Sequence, residues 1–455
     1  MPLKLAKKIA KTAGLDRSVR WSLLVQGMRL LTGPVTMVLM LKYLTPEMQG
    51  YAYAFSSVLA ISIFLELGFS QNILQFASHE FSKLSLTADR KLSGDVVALS
   101  RLTSLARLSF KYYGIAAVLF VLVTIFGGAW FFRTSKDVGV AWELPWLMAC
   151  VGSALSLIMN PCWALLEGCN QVAEIARLRF WISFVSFVLT VIAYMSGCGL
   201  YVGPIVALAS LAVSGGYFII RWRGFFSNFI AKPTQGIISW KKEIWPFQWR
   251  IGVSWMSGYL LFSIVVPIIF RQVGPAAAGK YGFTMSLVNT VASASGSWST
   301  TKLPQFGMLV AQEDWLGLKK LWRQSSIHAL LFAILGSIVM ISAFAVLSPI
   351  FPMLEDRYAG PLVASMLCAC MVAQNFINSC AYLLRAFKKE PYMWPSVIGA
   401  VINATLIWVF TSHWGILGSA IGYSLCYLLM FYPTYYIFKI KQLEFLGGIN
   451  LMKRG

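Results

Sequence analysis

Stretches of about twenty or more mostly apolar residues recur twelve times along this chain, and nothing else constrains its fold as strongly. They lie near 21–42, 50–76, 109–132, 142–168, 175–197, 200–220, 245–270, 277–305, 326–352, 358–384, 392–411 and 415–438. A helix rises 1.5 Å per residue, so about twenty residues cross the ~30 Å hydrocarbon of a bilayer. Without water to satisfy the backbone, each such segment must be helical. Composition agrees: 58% of the 455 residues are apolar and 12% are charged, against about 25% charged in a soluble domain. A soluble enzyme, a secreted module and a disordered chain are excluded. The longest intervening segments, near 77–108 and 221–244, are too short to fold alone.

Charge sets the orientation. The chain carries 38 Lys and Arg against 17 Asp and Glu, and its pI is near 9.7. In a membrane protein such an excess reads as cytoplasmic loops meeting anionic lipid, rather than as nucleic acid binding. With the N-terminus inside, 30 cations fall to the cytoplasmic side, six fall outside, and Arg29 and Arg250 remain within spans. Both termini are therefore expected in the cytoplasm. The basic start, with Lys4, Lys7, Lys8 and Lys11 on one helical face, reads as a surface anchor before a retained first helix.

An internal repeat organises the spans. Sliding the first half along the second lays Tyr43-Leu-Thr-Pro-Glu-Met-Gln-Gly50 on Gln272-Val-Gly-Pro-Ala-Ala-Ala-Gly279, matching Pro46 with Pro275 and Gly50 with Gly279. A slightly smaller shift lays Asn160-Pro-Cys-Trp-Ala-Leu-Leu166 on Asn378-Ser-Cys-Ala-Tyr-Leu-Leu384. The difference between the two shifts is assigned to longer loops in the first half. Six spans per repeat make the repeats parallel, an arrangement suited to alternating access around a central cavity. A duplication kept only for packing is the other reading. The expected organisation is an amphipathic N-terminus 1–20, a first bundle 21–221, a cytoplasmic linker 222–244, a second bundle 245–438 and a tail 439–455.

Other chemistry is sparse. The eight cysteines lie mostly in apolar segments and read as small packing residues. His79, His328 and His413 are scattered, and there is no G-x-x-x-x-G-K-[ST] loop for ATP. No cofactor, metal or catalytic set is expected. The 17 Trp residues read chiefly as an interfacial belt and as packing.

Arg29-Leu-Leu-Thr-Gly-Pro34, Tyr43-Leu-Thr-Pro-Glu-Met-Gln-Gly-Tyr51, Phe64-Leu-Glu-Leu-Gly-Phe69 and Trp414-Gly-Ile-Leu-Gly-Ser-Ala-Ile421 together resemble bacterial lipid-linked oligosaccharide flippases. So do the loops Leu166-Glu-Gly-Cys-Asn-Gln171 and Leu384-Arg-Ala-Phe-Lys-Lys389. These flippases form the polysaccharide transporter branch of the multidrug/oligosaccharidyl-lipid/polysaccharide exporter superfamily. The resemblance spans nearly the whole chain through diffuse motifs. It implies an all-α fold of twelve transmembrane helices, its two six-helix bundles forming a V in the bacterial inner membrane. It also implies transfer of a polyprenyl-diphosphate-linked oligosaccharide to the periplasmic leaflet in O-antigen, capsule or exopolysaccharide synthesis, with the glycan polymerase machinery as a partner. Efflux of drugs or organic cations and a membrane glycan polymerase are the alternatives.

Glu66 is the one acidic residue deep in a span. It lies ~15 Å from the cytoplasmic end of the second span, and Arg29 ~12 Å inside the first, so the two share a depth. They read either as a structural ion pair or as a site, with Arg29 drawing diphosphate and Glu66 holding it or binding a coupling cation. Arg250, ~7 Å inside the seventh span, either snorkels to the headgroups or grips phosphate bidentately.

Overall fold

A computed structural model describes residues 17–134, 139–233, 235–387 and 391–452. The basic N-terminal face at Lys4–Lys11, the pair Lys388–Lys389 and the side chain of Arg29 lie outside the described residues. Among the described residues the fold is all-α apart from one small hairpin. Ten helices are long and apolar enough to cross a membrane among the described residues, which makes this a multi-pass membrane fold.

In the first half, α1 (Arg17–Tyr43) leads to α2 (Pro46–Leu59), α3 (Ser62–Glu66) and α4 (Phe69–Phe81). The strands β1 (Leu84–Leu86) and β2 (Leu92–Gly94) follow, then α5 (Val96–Arg133), α6 (Glu143–Gly168), α7 (Val172–Met195) and α8 (Val202–Arg221). A short α9 (Arg223–Ser227) opens the linker. The second half holds α10 (Trp245–Phe262), α11 (Val265–Gln272), α12 (Pro275–Thr300), α13 (Leu303–Ala311), α14 (Trp315–Ile350), α15 (Pro352–Glu355), α16 (Pro361–Ala386) and α17 (Met393–Met452).

Ten becomes the expected twelve for two physical reasons. First, α17 is a hairpin. Trp414 and Gly415 leave helical geometry (Gly415 φ 57°), and the chain doubles back so that Gly418 meets Phe410 and Gly422 meets Leu406. Cys426 continues this stripe of small residues against the Gly399 carbonyl at 3.4 Å, the close approach that membrane helices use in place of hydrophobic drive. Second, α12 has 26 residues, ample for a crossing, but is rich in Ser and Thr.

The repeat is visible in the helix boundaries. Pro46 and Pro275, matched by the first shift, each begin a helix. Under the second shift both ends of α6 fall on both ends of α16, and the left-handed Gly197 falls on the left-handed Gly415. Asp95 caps α5 by accepting from the Ala98 N–H at 2.7 Å, and Asp314 caps α14 by accepting from Gly317 at 2.9 Å. Each cap contributes about 1 kcal/mol. These two caps lie within one position of the second shift. Nearly all the extra length of the first half therefore falls before Asp95, where it carries the β1–β2 hairpin.

Two compact units emerge: residues 1–44 with 59–255, and residues 45–58 with 256–455. The segment Thr45–Val58 thus packs with the second half. Within the first unit the linker is strapped along the N-terminal part of α5. Arg101 bridges Glu80 at 2.8 Å and Glu243 at 2.7 Å. Ser100 and Ser104 accept the backbone N–H groups of Gln235 (2.9 Å) and Ile238 (3.2 Å), and Arg107 donates to the carbonyls of Phe229 and Ile230. Glu243 lies outside the spans, and its carboxyl is held below the usual range by the Ser239 N–H and then by Arg101.

Candidate functional site

The second membrane span is broken at its acidic residue. Leu67 (φ 47°) and Gly68 (φ 66°) are both left-handed, so α3 stops at Glu66 and α4 starts afresh. A left-handed leucine costs roughly 1–2 kcal/mol, so the surroundings must enforce the break. They do so from several sides. Gly252 of α10 lies against Leu67, and Ile251 fills the space where a Gly68 side chain would stand. The Tyr112 hydroxyl donates to the Leu65 carbonyl at 2.8 Å. Behind Tyr112, the fully buried Gln248 donates to that hydroxyl at 3.3 Å and accepts from the Trp240 indole at 2.9 Å. The linker strap thereby reaches the break.

The Glu66 carboxylate accepts from Ser70 at 2.6 Å and from Tyr113 at 3.2 Å, so both described partners are hydroxyls. The repeat equivalent of Glu66 is Ser295, buried in the unbroken α12 and accepting from Asn375 at 3.0 Å. The break and the charge therefore belong to the first repeat alone, and the shared architecture does not require them. Arg29 stands in α1. Arg250 is exposed, its guanidinium 5.6 Å from the Trp249 ring.

Ser70 also lines a polar cavity of about 330 Å³ between α4, α6 and α7, with Gln71, Asn160, Trp163, Glu167 and Arg179. Glu167 and Arg179 pair at 2.7 Å, and the guanidinium lies 5.5 Å from the Trp163 ring. A polar route thus runs inside the first unit from Glu66 through Ser70 to this ion pair. Hydrogen-bonding groups of both kinds beside an aromatic face make a site suited to a hydroxylated, flat-sided ligand. Sorting cations by loop places Arg179 on the cytoplasmic side and leaves Glu167 without a role. The signal that could find them is position: Arg179 falls inside the apolar stretch, and in the structure it lies two turns into α7.

The second unit carries a counterpart. Asn378 and Arg385, equivalent to Asn160 and Glu167, line a cavity of about 130 Å³ with Gln374, Tyr392 and Tyr427. Tyr427 donates to Gln374 at 2.6 Å, and Gln374 donates to Asn378 at 2.8 Å. The charge at the shared position is reversed between the two cavities. On α12, Asn289, Ser293 and Thr300 form an exposed polar stripe, placed where a lipid-facing helix would be apolar. Among the described residues no three His, Cys, Asp or Glu gather as a metal site.

No family model matches the chain, and no curated protein matches it. Its fold does match solved structures. One is an inward-facing multidrug resistance MATE family transporter of the MOP superfamily: TM-score 0.60, 13% identity, covering 92% of this chain and 99% of that one. Another is the lipid II flippase MurJ in an inward closed conformation: TM-score 0.60, 13% identity, covering 95% and 93%. A third is a MOP superfamily transporter from Pyrococcus furiosus, described as having a binding pocket of reverse polarity: TM-score 0.55, 14% identity, covering 94% and 96%. The chain is built on the all-α fold shared by these membrane transporters.

Proposed function

We propose that the protein is a flippase that carries a polyprenyl-diphosphate-linked oligosaccharide from the cytoplasmic to the periplasmic leaflet by alternating access. The observation that carries this reading is the polar route from Glu66 to Glu167–Arg179, which lies inside a membrane bundle and has Trp163 on its wall. Sugar hydroxyls need mixed donors and acceptors, and a sugar face stacks on an indole. The fold match to a lipid II flippase supports it. In this reading Arg29 and Arg250 attract diphosphate as cargo enters, Glu66 positions Arg29 or binds a coupling cation, and both termini face the cytoplasm of a bacterial inner membrane.

A cell that needs this protein to export a surface glycan provides the test. Arg29→Ala and Glu66→Ala each abolish export while the protein reaches the membrane. Combining Arg29→Leu with Glu66→Met separates the roles: a structural pair replaced by apolar residues regains export, whereas a cargo site stays inactive. Full export by well-expressed single variants overturns these assignments.

A second reading, efflux of organic cations, is favoured by one observation: the described partners of Glu66 are neutral hydroxyls, which leave its charge available to a cation. Uptake of a fluorescent quaternary ammonium into inverted vesicles, lost in Glu66→Gln, supports that reading against the first.

A further inference from the structure

We propose that the groove between α7 and α8 binds an anionic phospholipid of the cytoplasmic leaflet. The groove encloses about 650 Å³. Its charged lining gathers at one end: Glu174 and Arg177 lie in the first two turns of α7, and Tyr217 and Arg221 in the last two of α8. That end is the one the cation distribution assigns to the cytoplasm. Farther in, the walls are apolar, with Trp181 48% exposed. Gly216 keeps the floor open, since a Cβ there would meet nothing within 4 Å.

The charges fit one occupant. Tyr217 donates to Glu174 at 2.8 Å and so occupies the acidic group. The two arginines remain at the mouth, and Arg177 is held 6.0 Å from the Trp21 ring. Two cations at headgroup depth above an apolar trough match a phosphate joined to an acyl chain. The fold does not require them: at the equivalent places of the second repeat, Pro395 and Gly399 stand where Arg177 and Trp181 do in the first. The lipid site is independent of the cargo's identity.

Trp181 is the reporter. Purified protein is placed in vesicles containing brominated phosphatidylglycerol or, at the same mole fraction, brominated phosphatidylcholine, and the Trp181 signal is the difference between the wild type and Trp181→Phe. Phosphatidylglycerol quenches that signal more strongly. Arg177→Gln and Arg221→Gln each weaken the preference about five-fold, and Gly216→Leu removes quenching by filling the trough. Equal quenching by the two lipids in the wild type overturns the proposal without any variant, and so does an unchanged preference in the folded arginine variants. Quenching by a brominated polyprenyl phosphate alone also overturns it, by assigning the groove to cargo.

Discussion

Gly50 and Gly279 occupy equivalent places in the two repeats and each packs against the other's helix start. A Cβ on Gly279 would lie 2.8 Å from the Pro46 carbonyl oxygen, and one on Gly50 would overlap the Pro275 carbonyl. The contact is reciprocal, as at a two-fold interface. Gln49 donates to the Gly279 carbonyl at 3.0 Å, and the buried Arg357 donates to Gln49 at 2.9 Å.

Because backbone meets backbone here, a side chain at either glycine must force the helices apart. Gly50→Leu and Gly279→Leu each cost about 1–3 kcal/mol or more, the range for overpacking a tight contact, and Gly50→Ala costs less than Gly50→Leu. Thermal unfolding in detergent checks the order. Equal melting temperatures for Gly50→Leu and the wild type contradict the packing.

The pair Glu167–Arg179 is expected to act as a unit. Glu167→Gln strands the Arg179 guanidinium beside Trp163, and Arg179→Gln strands a half-buried carboxylate, so each single change lowers stability more than half as much as both together. A double-mutant cycle measures this coupling, expected at roughly 0.5–3 kcal/mol. Strict additivity removes the pair from the account of the cavity.

The linker strap is expected to loosen in acid. Hydrogen bonds from the Ser239 N–H and from Arg101 lower the Glu243 carboxyl below its ordinary value of 4.5. Its contribution is therefore complete above that value and is lost as pH falls through the lowered one. The protection of residues 235–243 against hydrogen exchange, corrected for the intrinsic exchange rate, falls as the wild type is acidified below 4.5. In Glu243→Gln the protection is already low at neutral pH and this step is lost. A pH-independent strap in the wild type contradicts the role given to Glu243.

Much of the fold is legible in sequence because a membrane demands long apolar helices and because Pro46–Gly50 and Asn160–Leu166 repeat. The site is less so. Glu66 stands out as a lone acid in an apolar run, yet the break beside it depends on Ile251, Gly252 and Tyr112, which arrive from distant segments. Arg179 is masked by its neighbour Arg177, the two reading as one basic loop, although α7 turns them to different cavities. The linker's apolar residues Phe225, Phe229, Ile238 and Ile244 enter the core beside α5, but the serine hydroxyls and arginines that fix its path carry no periodic signal. Thr45–Val58 is tied to the second unit by contacts such as Gly50–Gly279 and Tyr51–Phe270, which repeat spacing cannot bring together.

Flipping of a fluorescent polyprenyl-diphosphate oligosaccharide by the purified protein in sealed vesicles tests the central claim most directly. The account expects transfer without ATP, accelerated when the compartment facing the cytoplasmic side is made negative, because the potential supplies roughly 2.3 kcal/mol per charge per 100 mV to the outgoing anion. It also expects Trp163→Ala with Asn160→Ala to slow transfer of the glycan-bearing lipid far more than transfer of the same lipid without sugars. Absence of transfer in the wild type, or equal slowing with and without the sugars, contradicts it.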